Sequence, residues 1–308
     1  MQVLFAGPAV TVIVLMLVLP VGYTLWLSMT SAVGNIATSA HFIGLQNYLR
    51  FLVEDPRFWP AVGRTLWFTL LALTLELVLG TAMALLLDRK FRGRKIARVV
   101  ILLPLVATPV AVGMMWMMIL EPTIGFANQL LAAVGVPPQG WLSDPAQSMG
   151  TVIFIDVWQW SPLVALIVLA GLTTVPGELI EAAKVDGTSP WNRFWFVILP
   201  TVWPTMVVAA LLRGIDALKT FDLLYATKGP GGGSFHEVET LNIYAYGLTF
   251  EYSEYGYASA VLMAFFVIVV LAVGVLAVYR TRLSADQATP KPAKKNQRTA
   301  GAAPRRTR

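Results

Sequence analysis

The chain has 308 residues, of which 56% are hydrophobic and only 13% charged, with a mean hydropathy of +0.67. Soluble domains are nearer a quarter charged, so this balance excludes an ordinary water-soluble globule. The net charge of +6 misleads as a whole: nine basic residues and one Asp lie from Arg280 onward, and the rest of the chain sums to 14 − 16 = −2. There are no cysteines, which removes disulfides, thiolate metal sites and cysteine nucleophiles from consideration.

In chain order, six apolar runs are each long enough to cross a bilayer as a helix: Val3–Leu27, Leu66–Leu87, Val99–Leu120, Met149–Leu172, Phe194–Leu212 and Tyr257–Tyr279. The second carries Glu76 and the fourth Asp156; the other four carry no charge. The expectation is an all-α polytopic membrane protein with six transmembrane helices, since a helix satisfies its own backbone in lipid. The first run lacks a basic n-region and is too long for a signal-peptide core, so it reads as a true span. The 88–98 loop holds six basic residues and one Asp, whereas 121–148 holds no basic residue. Basic loops stay cytoplasmic, which places both termini, 88–98, 173–193 and the tail inside. The expected division is a transmembrane domain over 1–283 and a disordered basic tail over 284–308. The juxtamembrane basicity suits anionic membrane lipid; nucleic acid is not an expected partner, because the tail offers no aromatic platform.

Outside the spans, the reading places a short amphipathic helix at Asn47–Leu52 and a partial helix at Gly125–Val134. It places a flexible glycine turn at T-K-G-P-G-G-G-S, Thr227 to Ser234. The aromatics Tyr244, Tyr246, Phe250, Tyr252, Tyr255 and Tyr257 form either an interfacial belt or a lip that receives a ligand. Met114 to Met118 reads as packing or lipid surface, and Pro104 and Pro109 as kinks in the third span.

The segment 174–200 is a polar turn between two apolar spans. Thr174 is expected to cap a helix with Pro176 in its first turn, and Glu178 and Glu181 favour its positive end. Gly187 supplies a left-handed stop, and Ser189-Pro190 begins the next helix, running to Pro200. The result is a rigid helix–turn–helix at the cytoplasmic surface. A plain capped connector is the alternative.

At membrane depth, Asp156, Gln159, Trp160 and Leu163 share one helical face, and Arg213, Asp216 and Thr220 share another on the next span, with Lys219 close. Intramembrane charges face cavities or partners. Asp156, Gln159, Trp160, Arg213, Asp216 and Thr220 combine hydrogen-bonding groups with an aromatic face and are the candidates to line such a cavity. The competing reading is structural: an Arg213–Asp216 pair, an interhelical bond at Asp156 and an interhelical contact at Glu76.

E-A-A-x-x-D-G followed by Phe194 and Ile198-Leu199-Pro200 resembles the EAA loop of the membrane subunits of binding-protein-dependent ABC importers, in their carbohydrate branch. P-V-G-Y-T-L-W-L-S (20–28), F-I-G-L-Q-N-Y (42–48), F-D-L-L-Y-A-T-K-G-P (221–230) and Y-G-Y-A-S-A (255–260) extend the resemblance over nearly the whole chain. Thr188 stands where Ala is common, and T-K-G-P-G-G-G-S departs from T-G-G-P.

The resemblance implies a MetI-like permease architecture in a prokaryotic cytoplasmic membrane. It implies ATPase coupling through Glu181, Ala182, Ala183, Asp186 and Gly187, and a substrate path along the helices that flank the loop. The implied partners are a second homologous permease subunit, two cytoplasmic ATPase subunits, an extracytoplasmic solute-binding protein and a sugar-like substrate. ATP and Mg would sit on the ATPase, consistent with the lack of G-x-x-x-x-G-K-[ST] here; the chain itself would be no enzyme and need no cofactor.

Two other classes remain open. A gradient-driven transporter would use Asp156, Asp216 or Glu76 as a proton carrier and show inverted-repeat halves, which are not evident. An intramembrane enzyme lacks support: His41 and His236 lie in loops, and neither H-E-x-x-H nor G-x-S-x-G occurs. A non-carbohydrate solute such as an amino acid or phosphate is the variant within the importer reading.

Overall fold

The computed structural model describes residues 2–288. Its α-helices are α1 (Gln2–Ser28), α2 (Ile36–Ser39), α3 (Gln46–Leu49), α4 (Phe58–Asp88), α5 (Arg94–Leu102), α6 (Pro109–Ile119) and α7 (Phe126–Ala133). They continue with α8 (Pro145–Leu172), α9 (Gly177–Val185), α10 (Pro190–Arg193), α11 (Leu199–Leu218), α12 (Asp222–Lys228), α13 (Leu241–Phe250) and α14 (Tyr255–Ala288). Among the described residues the only β pairing is one bridge between Thr30 and Phe42.

Five segments are long and apolar enough to cross a membrane: Val10–Ser28, Phe58–Asp88, Pro145–Leu172, Pro190–Leu218 and Tyr255–Val275. The sixth expected span, Val99–Leu120, is not one straight helix. Arg94–Val106 and Pro109–Ile119 meet at 102°. Both prolines act as helix starters here, which explains the break. Pro104 opens a 3₁₀ turn, Leu103–Val106, and Pro109 opens α6 behind the Thr108 cap, whose hydroxyl accepts from Ala111 N–H at 3.4 Å. Gln159 of α8 steadies the bend by donating to the Ala107 carbonyl at 3.1 Å.

The core is the α4–α8–α11 contact. Lipid supplies no hydrophobic drive between helices, so close approach through small residues must hold them. Gly80 provides it: a Cβ there would stand 2.6 Å from Val164 Cβ and 2.9 Å from the Ser161 carbonyl. Gly171 does the same for α8 and α11, where a Cβ would meet Thr205 at 2.9 Å. Around these contacts Ala84, Leu87, Val164, Val168, Val202 and Ala209 form one buried cluster. α1 lies along α14 and exposes most of its length.

Several local expectations change. The helix expected at Asn47–Leu52 is α3 followed by a π turn, Arg50–Glu54, closed by Asp55 N–H on the Arg50 carbonyl. α7 matches the partial helix expected at Gly125–Val134, with Gly125 as its N-cap. Met114, Met115, Met117 and Met118 are exposed, as lipid-facing side chains would be. The glycine turn is packed rather than free: Gly229, Gly231, Gly232 and Gly233 all have positive φ, and a Cβ on Gly232 would lie 2.5 Å from Glu239 N. α14 extends to Ala288, beyond the expected boundary at residue 284, and the remainder of the basic tail lies outside the described residues.

Candidate functional site

Two regions carry the sequence's functional candidates. The first is the turn between α8 and α11. Thr174 does not cap α9: its hydroxyl donates back to the Gly171 carbonyl at 2.8 Å and closes α8 instead. Pro176 is itself the N-cap, with extended backbone and no side-chain bond, because a proline there leaves no donor unsatisfied. Glu178 is in the first turn, whereas Glu181 lies mid-helix.

The C-terminal end follows the sequence closely. Gly187 sits at φ +72°, Thr188 N–H donates to Ala183 O at 3.1 Å and Gly187 N–H to Lys184 O at 3.0 Å. These are the two bonds of a Schellman stop. The Thr188 hydroxyl adds a third bond to Ala183 O at 2.6 Å. Ser189 then caps α10, its oxygen accepting from Asn192 N–H at 3.2 Å.

The chain does not stop at Pro200. A π turn over Phe194–Ile198, in which Leu199 N–H reaches the Phe194 carbonyl, absorbs the proline and leads α10 straight into α11. Of the expected coupling residues, Glu181, Ala182, Asp186 and Gly187 are exposed and Ala183 is buried. Val185 (88%), Trp191 (68%) and Phe196 (79%) stand out beside them. Sequence reasoning did not single out these three as surface residues, since an apolar side chain in a membrane chain reads as packing.

The second region is a charged hub at the centre of the bundle. Arg213 of α11 meets Glu76 of α4, Asp156 of α8 and Asp216 of its own helix. Nη2 donates to Glu76 Oε1 at 2.9 Å and to Asp156 Oδ2, and Nη1 donates to Asp216 Oδ2 at 2.8 Å. Nε lies 2.8 Å from Glu76 Oε2, outside hydrogen-bond alignment. Arg213, Glu76 and Asp156 are each at most 1% exposed. The i,i+3 pair and both interhelical contacts thus share one guanidinium. The Trp160 ring covers it, 4.9 Å from its central carbon.

Above the hub is a cavity of about 170 Å³, lined by Pro109, Asp156, Trp160, Asp216, Lys219, Thr220, Phe221, Asp222 and Leu223. It gathers four of the six expected path residues: Asp156, Trp160, Asp216 and Thr220. Arg213 lies behind them and Gln159 turns away to the α5–α6 bend. Buried acceptors remain open here: Asp156 Oδ1 and Gln159 Oε1 have no hydrogen-bond donor among the described residues. Phe221, Asp222 and Pro109 were not anticipated as lining. Pro109 opens α6 just past the bend, whereas Phe221 and Asp222 follow just after α11 at the start of α12.

A third constellation, at the end of the bundle formed by 30–57 and 229–254, was legible only as a run of tyrosines. Asp55 accepts from the Tyr244 and Tyr257 hydroxyls and from Arg57 N–H at 2.8 Å. Partial burial pushes the Asp55 carboxyl up, but these three bonds and the nearby Arg50 charge outweigh it and hold it below the usual carboxylate range. Burial likewise opposes the charge on Arg57, yet its pairing with the buried Glu239 raises it above the ordinary arginine value. Arg50, Asp55, Arg57 and Tyr244 border a cleft of about 370 Å³. Among the described residues, no group of His, Asp and Glu could hold a metal ion.

The chain resembles known proteins over nearly its whole length. It is 35% identical over 263 residues to the trehalose/maltose transport system permease protein MalF of Thermococcus litoralis, covering 85% of this chain and 87% of that one. It is 36% identical over 265 residues to the trehalose transport system permease protein SugA of Mycobacterium tuberculosis, covering 85% and 83%. The fold matches a chain in a crystal structure of a bacterial alginate ABC transporter in complex with alginate pentasaccharide-bound periplasmic protein. The TM-score is 0.76 at 21% identity, over 93% of this chain and 95% of that one. Residues 76–284, which include the Arg213 hub and the Gly187 turn, match the binding-protein-dependent transport system inner membrane component family, and the chain belongs to it.

Proposed function

We propose that the chain is the permease subunit of an ATP-driven importer for a carbohydrate, acting by alternating access. The observation that carries this reading is the exposed α9–Gly187–α10 turn at one end of the bundle. It is fixed by its own backbone bonds and fringed by Val185 and Trp191. Exposed apolar side chains on a rigid element mark a surface awaiting a partner. With no P-loop in the chain, that partner supplies the ATPase, and ATP and Mg bind there. The basic 88–98 loop supports a cytoplasmic position for this end.

In this reading Glu181, Ala182, Asp186 and Gly187 face the groove of a cytoplasmic ATPase, one of two, and a second homologous permease completes the path. ATP closes the ATPase dimer, the turns of the two permeases approach, and the path opens outward to a sugar delivered by an extracytoplasmic binding protein. Such a switch requires ATP to bind one state better than the other. The named transport systems of the relatives support a sugar: trehalose and maltose for one, trehalose for another. The cavity chemistry supports it as well, since Trp160 and Phe221 offer ring faces while Asp156, Asp216 and Thr220 offer acceptors for hydroxyl groups.

The test is affinity purification of the tagged chain from its native membrane in mild detergent, wild type beside Gly187→Pro, with co-purifying proteins identified by mass spectrometry. Proline cannot adopt positive φ and removes the N–H bonded to Lys184 O. An ATPase present with wild type and depleted at least tenfold with the variant, at equal membrane levels, is expected. An intact complex without any ATPase sinks the reading.

A further inference from the structure

The cavity above the Arg213 hub has an unbalanced charge. Its wall carries three carboxylates, Asp156, Asp216 and Asp222, against one ammonium, Lys219. The guanidinium behind it brings no free positive charge, because Glu76, Asp156 and Asp216 already enclose it and Trp160 covers its face. Taking the cavity wall with the guanidinium behind it, Arg213 and Lys219 stand against Asp156, Asp216 and Asp222, a formal 2 − 3 = −1. A cleft lined by an excess of one sign of charge raises the local concentration of the opposite sign. The unpartnered polar atom on the lining is also of one kind: Asp156 Oδ1 is a buried acceptor that wants a donor.

We propose that this cavity takes an uncharged polyhydroxylated substrate and rejects anionic ones, such as phosphorylated sugars and uronates. A hydroxyl group can donate to Asp156 Oδ1 and to Asp216 without bringing charge, and a sugar ring's C–H face can lie on Trp160 or Phe221. A phosphate or carboxylate finds no free bidentate cation here, because the one guanidinium present has both of its terminal nitrogens committed. Lys219 alone offers a point charge at the exposed rim. The sugar part of this inference rests on the importer reading; the sign of the field rests on the lining alone.

The absence of cysteine allows a direct measurement of that field. In the purified importer complex in lipid nanodiscs, Thr220→Cys places one thiol of this chain on the cavity wall. Ala37→Cys places one at an exposed site away from the hub. Each is reacted with three methanethiosulfonates of similar size, bearing an ammonium, a sulfonate or a hydroxyl group, and modification is followed by the intact mass of this chain.

At Thr220→Cys the cationic reagent should outpace the anionic one by roughly tenfold or more beyond the ratio at Ala37→Cys. Adding Asp216→Asn and Asp222→Asn should bring the two ratios together. Equal rates, or faster modification by the sulfonate, overturn the inference. So does a Thr220→Cys thiol that the hydroxyl reagent cannot reach while it labels Ala37→Cys. The labelling needs no knowledge of the sugar and no ATP. A reversed ratio in a complex that still holds its ATPase refutes the charge selection alone, whereas loss of the ATPase from the wild-type complex refutes the importer.

Discussion

The Gly187 turn and the Arg213 hub are built on opposite principles. In the turn, every stabilising bond joins residues within six positions of each other: Thr188 to Ala183, Gly187 to Lys184, Asn192 to Ser189. In the hub, beside the Arg213–Asp216 pair, the bonds join residues 57 and 137 positions apart on three helices. A local device can be altered with little effect on the rest of the bundle. A charge enclosed by distant partners cannot, because any one removal strands the others in a low-dielectric interior.

The largest expected effect follows from that contrast. Arg213→Gln leaves Glu76 and Asp156 buried without their cation and should cost about 3–5 kcal/mol, read as a large drop in thermal unfolding temperature of the detergent-solubilised chain. Adding Glu76→Gln and Asp156→Asn to the same chain should restore much of the loss, since the stranded charges go with their partner. A triple variant no more stable than the single one would mean the hub acts through packing instead.

Gly80→Val should come next, at about 1–3 kcal/mol, because the new side chain collides with Val164 and the Ser161 carbonyl across the α4–α8 contact. The same unfolding assay reads it. Gly187→Ala should cost only about 1–2 kcal/mol locally, the penalty of a left-handed alanine in open space. It should weaken ATPase retention more than it lowers the unfolding temperature; the reverse order would erase the distinction between the two regions. Ser189→Ala, which removes one cap, should cost about 1 kcal/mol and show as faster amide exchange at Asn192 without change in the core.

Asp55 adds a pH test at the other end of the bundle. Its carboxyl is held below the ordinary value, so its contribution is fully present above the unfolded value, about pH 4, and is lost as pH falls through the lower folded value. Asp55→Asn should therefore flatten the acid side of the unfolding-temperature profile while leaving the shape above pH 5 unchanged. An unaltered acid limb would show that Tyr244 and Tyr257 gain nothing from the charge.

What could be read from the sequence divides along the same line. Gly187 and Ser189-Pro190 announced their own conformations, because a positive φ and a capped first turn are properties of neighbouring residues. Thr174-Val175-Pro176 misled only in which helix the hydroxyl serves: both ends of a connector accept the same residues, and α8 claimed Thr174 first. Pro104 and Pro109 were visible as breaks, yet the 102° angle depends on what α6 packs against and is written nowhere in the local sequence. The Arg213–Asp216 pair could be read from its spacing, and Glu76 from its isolation in an apolar run. That a single guanidinium serves both, and Asp156 as well, required knowing how α4 and α8 face α11. The Asp55–Tyr244–Tyr257 node spans 189 and 202 positions and left only a cluster of tyrosines to suggest it.

Gly80 and Gly171 have a mechanical consequence. At both crossings a backbone rests directly against its neighbour, with no long side chain between them to bend or change rotamer. Contacts of that kind transmit displacement without slack. α8 runs into the Gly187 turn and α11 emerges from it, so a push on the turn is delivered to α4, α8 and α11 as one strut. The strut carries the guanidinium and its carboxylates, and Pro109 at the 102° elbow borders the cavity beside them.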